Sequence, residues 1–157
     1  MMWMRHLSDH DALVESVLAR VGLDGMNQRD PFAVLLALGW DVQPLLGAGP
    51  EDGRTLVESR TVQVRFLGSD PRVTSVLAHE CGHVVMIEAG YRMPHCECCA
   101  DQLGRAVCLG RMGLVGLLRD THPQEIVEIY RDVFLPSEVS RRVLEVRASL
   151  MRTGSGW

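Results

Sequence analysis

The sequence predicts an α+β fold: a small three-stranded sheet, mixed or antiparallel, packed on a central helix, with a helical C-terminal part resembling a helix-turn-helix. Three observations predict it. Residues 55–67, TLVESRTVQVRFL, alternate β-branched and polar side chains as strands do. Residues 69–90, SDPRVTSVLAHECGHVVMIEAG, carry both start and stop signals of one long helix. The last third, from PQEIVEIY onward, is patterned for helices.

Taken in order, SDHDALVESVLARVGLDG is an amphipathic helix with Ser8 and Asp9 as caps and Gly22 as its stop. RDPFAVLLALGW is a second, shorter helix, with Asp30 as cap, Pro31 in the first helical position and Gly39 just past its end. GAGPEDGR is a loop by composition. TLVES and TVQVRFL form two strands, joined by a third from WDVQPLL. In the long helix Asp70 caps, Pro71 opens and Gly90 closes. A further helix begins near Cys96 and runs through ADQLGRAVCLGRMGLVGLL. PQEIVEIYRDVF and SEVSRRVLEVRASLMR are two helices separated by Pro136, the second capped by Ser137.

A chain of 157 residues suits a single domain with a real core. Residues 1–119 are expected to form that core, 120–152 a helical subdomain and 153–157 a loose tail. Apolar residues make up 46 % and charged residues 23 %, as in soluble globular proteins. The net charge of −4 gives no general reason to bind nucleic acid. Arg141, Arg142, Arg147 and Arg152 on the last helix could meet DNA phosphates, but a charged solvent face is the simpler account. No apolar run is long enough for a bilayer, and MMWMRHLSDHDAL becomes charged too early for a signal peptide. The expectation is a cytoplasmic protein with no membrane partner. Five cysteines, odd in number and crowded, are thiols or metal ligands rather than a disulfide framework.

The chemistry concentrates in HECGH, residues 79–83. His79 and His83 share a helical face and can turn two imidazoles toward one ion. Glu80 lies about 100° round from His79, where it reaches a water on the metal and serves as general base. Val76, Leu77, Val84 and Ile87 give this helix its buried side. Paired histidines also occur on ordinary helices, so the motif means most in a capped helix that follows strands. A catalytic zinc wants a third protein ligand and an open fourth position. Glu97 is the favoured third ligand; Asp101, His95 and the nearby thiols are its rivals. With Glu97 as ligand, Asp101 would fix the tautomer of a zinc-bound histidine. The ordinary reading of that pair is an acidic helix start favoured by the helix dipole. Cys96, Cys98 and Cys99 are too tightly spaced to fill one structural zinc site alone, but suit redox sensing or auxiliary metal binding. Cys81 and Cys108 are expected to be small, semi-buried residues. Divalent manganese or iron would satisfy the same nitrogen and oxygen ligands as zinc.

These stretches resemble the ImmA/IrrE metallopeptidases. LAHECGHVV is similar to the family's zinc helix and ECCADQLGRAV to its downstream helix, which begins with a glutamate ligand. DPFAVLLALGWDVQ and PQEIVEIYRDVFLPSEVSRRVLEVRASL resemble its early segment and its C-terminal helices, so the likeness covers roughly Asp11 to Met151. The chain has CLGRMG where the family often has a leucine-rich stretch ending in proline. The resemblance implies zinc on His79, His83 and Glu97, Glu80 as general base, and a site-specific endopeptidase. Its substrate would be a helix-turn-helix repressor, whose cleavage releases mobile-element or stress-response genes. His95 or Tyr91 would steady the oxyanion. The competing expectation is a non-catalytic interaction module whose structural zinc is held by histidines and cysteines.

Overall fold

The computed structural model describes residues 9–65, 71–91 and 96–152. Its elements are α1 (Asp9–Ala19), α2 (Pro31–Ala37), β1 (Asp41–Pro44), β2 (Gly53–Leu56), β3 (Thr61–Val64), α3 (Pro71–Glu88), α4 (Glu97–Cys108), α5 (Arg111–Asp120), α6 (Pro123–Ile129) and α7 (Pro136–Arg152). The architecture is the expected α+β, and the sheet is mixed with order β1-β3-β2. β1 runs parallel to β3 with Val42 opposite Val62, while β2 runs antiparallel with Thr55 opposite the same residue. Ser8, Asp70, His95 and the tail 153–157 lie outside the described residues. Among the described residues no helix is long and apolar enough to cross a membrane.

Local chemistry sets most boundaries. The Asp30 carboxylate accepts from the Phe32 N–H at 3.0 Å and Pro31 opens α2, needing no N–H partner there. Gly90 ends α3 at φ +80°, and the Tyr91 N–H folds back onto the Met86 carbonyl at 3.0 Å.

Several expected boundaries move, and α6, expected to run on to Phe134, ends at Ile129. β2 begins at Gly53, inside the stretch read as a loop, because Gly53 pairs with Val64 of β3; Val57 to Arg60 then make the turn. The helix expected from Cys96 through Leu118 breaks at Leu109–Gly110 into α4 and α5. There the chain leaves its own helix to pair with the segment before α2: Leu109 bridges Gln28 and the Gly110 N–H donates to the Asn27 carbonyl at 2.9 Å. A Cβ on Gly110 would stand 2.0 Å from the Met26 carbonyl oxygen, so only glycine permits this contact. Finally, α7 starts at Pro136 itself, not behind a Ser137 cap. The Leu135 carbonyl receives the N–H groups of Glu138 and Val139, and Ser137 falls in the first turn.

The core has two parts. Val14, Leu18, Leu35, Trp40, Val62 and Leu103 belong to the first, between the sheet, α1, α2, α3 and α4. Leu109, Leu114, Ile126, Phe134, Val139 and Val143 belong to the second, under α5, α6 and α7. On α3, Leu77 and Val84 are buried as expected, whereas Val76 and Ile87 are only partly covered and face a cleft. Arg142 is 1 % exposed: it donates to the Leu109 carbonyl at 2.9 Å and to Asp11 Oδ1 at 2.6 Å. It therefore binds the fold together and is not available to a DNA phosphate.

Candidate metal centre

The site depends on how closely α3 and α4 approach. A Cβ on Gly82 would lie 2.0 Å from the Ala100 carbonyl oxygen, and one on Gly104 would lie 2.2 Å from that of Ala78. The two helices thus meet backbone to backbone through two small-residue pairs, Ala78 with Gly82 and Ala100 with Gly104. That contact brings the first turn of α4 over the histidine face of α3.

The His79 and His83 rings lie edge to face with centroids 4.9 Å apart. His79 Nε2 is 2.5 Å from Glu97 Oε2, and His83 Nε2 is 3.4 Å from Glu97 Oε1. Ligand atoms from these three residues all fall within 4.8 Å of one another. Tetrahedral zinc, with bonds of about 2.0–2.1 Å to nitrogen and oxygen, sets its ligands roughly 3.3 Å apart. Glu97 need withdraw from His79 by only about 1 Å to meet that spacing, and its side chain is exposed enough to do so. The donor set of two imidazoles and one carboxylate fits zinc, and no thiol belongs to this group among the described residues.

Asp101 Oδ1 sits 2.6 Å from His79 Nδ1, which places the proton on Nδ1 and turns Nε2 toward Glu97. Burial opposes a charge on His79, but the carboxylates of Asp101, Glu80 and Glu97 outweigh it and raise the imidazole pKa. The same negative surroundings favour a metal cation.

Glu80 is 6 % exposed at the floor of the cleft. Burial pushes its pKa up; the Thr55 hydroxyl, which donates to Oε2 at 2.5 Å, and the two histidines pull the other way. A Cβ on Gly53 would stand 2.8 Å from Val76 Cγ1 and 3.0 Å from Glu80 Oε1, so β2 passes close over α3 at a glycine. The cleft holds about 720 Å³ between β2 and α3, with Arg54 on one side and Val76, Ile87 and Leu135 on the other.

Of the residues expected at the site, His79, Glu80, His83, Glu97 and Asp101 come together. Tyr91 is half exposed and does not line the cleft. Cys81 and Cys108 are fully buried rather than semi-buried, and burial lifts the Cys81 thiol to about 12. Cys96, Cys98 and Cys99 are free thiols around Glu97. Sequence reasoning missed Thr55, Gly53, Gly82 and Gly104. The small residues four apart in both helices were the available signal for the last two; nothing in the sequence marked Thr55. No protein-family model, curated protein or solved structure matches this chain.

Proposed function

We propose that this chain is a zinc-dependent endopeptidase in which His79, His83 and Glu97 hold one metal ion and Glu80 is the general base. The observation that carries the reading is a buried glutamate beside a two-histidine, one-carboxylate group at the floor of a cleft. A zinc ion bound there supplies a Lewis acid for the scissile carbonyl and makes water more acidic. Three protein ligands leave a coordination position open for that chemistry.

The chain's own residues handle the proton. Glu80 takes it from water and returns it to the leaving amine, a task served by a carboxylate whose pKa burial has raised. Thr55 holds Oε2 in place, and Asp101 keeps His79 in the tautomer that offers Nε2. β2 is an edge strand along the cleft, so an extended peptide can add to it through main-chain hydrogen bonds. The resemblance to ImmA/IrrE peptidases supports an extended segment of a helix-turn-helix repressor as that peptide, with derepression of mobile-element or stress-response genes as the result.

The test pairs metal analysis with cleavage. Wild type should carry one zinc and cut a repressor encoded nearby. Glu80→Gln should keep the zinc and lose cleavage, and Glu97→Ala should lose most of the zinc. Cleavage by Glu80→Gln, or a wild type that takes up no metal, overturns the proposal.

A further inference from the structure

Three thiols crowd the start of α4, and the metal-capable group uses none of them. Cys96 is the N-cap: its sulfur accepts from the Cys99 N–H at 3.3 Å and lies 2.9 Å from the Cys99 sulfur. Cys96 is exposed, whereas Cys99 is half-buried and packs against the first core cluster. One sulfur is thus open to solvent reagents and the other is anchored beside it. Residues two apart on a helix do not face each other, which leaves Cys98 out of the pairing with Cys96. Glu97 lies inside the Cys96–Cys99 turn, with its carboxylate 2.5 Å from His79.

We propose that Cys96 and Cys99 are a dithiol–disulfide couple, oxidised by hydroperoxides, whose state sets how Glu97 meets the two histidines. The second half of this statement rests on the reading of Glu97 as a metal ligand. The Cys96 sulfur attacks one peroxide oxygen, the O–O bond breaks, and Cys96 becomes a sulfenic acid while water or an alcohol leaves. The Cys99 sulfur then attacks the Cys96 sulfur and the hydroxyl departs as water. Two thiols and one hydroperoxide give one disulfide, one water and one water or alcohol, with two electrons passed to the peroxide. A disulfide near 2.0 Å requires the sulfurs to close by about 1 Å. That movement tightens the Cys96–Cys99 turn, and Glu97 and Cys98, the two residues between them, shift with it. Displacing the support of a metal ligand commonly weakens affinity by about tenfold or more.

The experiment treats reduced, zinc-loaded protein with hydrogen peroxide and reads intact mass, disulfide position and zinc retention against a chelator. Wild type should lose two hydrogens in mass, map a Cys96–Cys99 bond and hold zinc about tenfold more weakly. Cys98→Ser should behave in the same way. Cys96→Ser, which keeps a capping oxygen, should form no such bond and show no change in zinc retention. A bond through Cys98, no loss of hydrogens, or a Cys96–Cys99 bond that leaves zinc retention unchanged overturns the proposal. Reduced protein that takes up no zinc defeats the metal reading, and the mass map still decides the couple.

Discussion

At Glu80 burial favours the protonated carboxyl, while the Thr55 hydroxyl and the neighbouring histidines favour the charged one. Thr55→Val removes a donor to the charged form and leaves the burial unchanged. The Glu80 pKa should therefore rise further, and the acid limb of the kcat/KM profile should move to higher pH. At neutral pH the rate should fall by about tenfold, a fraction of what general-base catalysis contributes, with zinc content unchanged. An unshifted acid limb would remove Thr55 from the mechanism. Asp101→Asn tests the proposed metal site instead: His79 loses the charged acceptor that orders its ring, and zinc affinity should drop by about 10–100-fold in chelator competition. His79, Glu80 and His83 were legible in the sequence because helical period alone decides which face they share. Glu97 and Asp101 were legible as acidic residues four apart at a helix start. Thr55 was not, because it reaches Glu80 only through the tertiary approach of β2 to α3.

Helices α3 and α4 carry the site between them, and their crossing tolerates nothing larger than hydrogen at two positions. Gly82→Ala and Gly104→Ala would each drive a methyl into a carbonyl oxygen of the other helix, a neighbour that cannot swing away. Each should cost about 3 kcal/mol or more in urea unfolding and release zinc as the helices part. Gly116 on α5 is the control, with nothing within 4 Å of its Cβ position; Gly116→Ala should stabilise by about 0.5–1 kcal/mol. The end of α3 is tied separately: Trp40 Nε1 and Arg60 donate to Glu88 at 2.9 and 2.6 Å. Burial works against charge on Glu88, but these donors outweigh it and lower its pKa below the ordinary 4.5. A carboxylate with a depressed folded pKa adds stability that is present above the unfolded value and lost as pH falls through the folded one. Wild type should therefore lose this increment below about pH 4.5, and Glu88→Gln should show a flatter acid limb of stability. The Asp30 cap of α2, the prolines that open α2 and α3 and the glycines that follow them were readable because they act within one turn of chain. The break at Gly110 was not, since only the docked segment at Met26 and Asn27 creates it.

Across the whole molecule, buried arginines join segments far apart in sequence. Arg29 pairs with Glu15 at 2.7 Å and donates to the carbonyls of Ala106 and Val107 at the end of α4. Arg105 of α4 holds Glu138 and Glu145 of α7. Asp11 of α1 holds Arg142 of α7, and Arg111 lies close enough to feel the charge of both. None of these pairings has a sequence signature, because arginine and carboxylate spacing says nothing about long-range contact. Asp11 is the carboxylate between two cations, which makes it the sharper point to cut. Asp11→Asn preserves shape but strips the negative charge from beside two buried guanidinium groups. Breaking a buried ion pair in this way costs about 3–5 kcal/mol, so the urea midpoint should fall well below that of wild type. Circular dichroism follows all the helices, and zinc release follows α3 with α4. If α7 is integral to the core, both transitions shift down together in Asp11→Asn. If helicity falls first while zinc stays bound, residues 120–152 unfold as a unit of their own and the ion pair serves only to dock them.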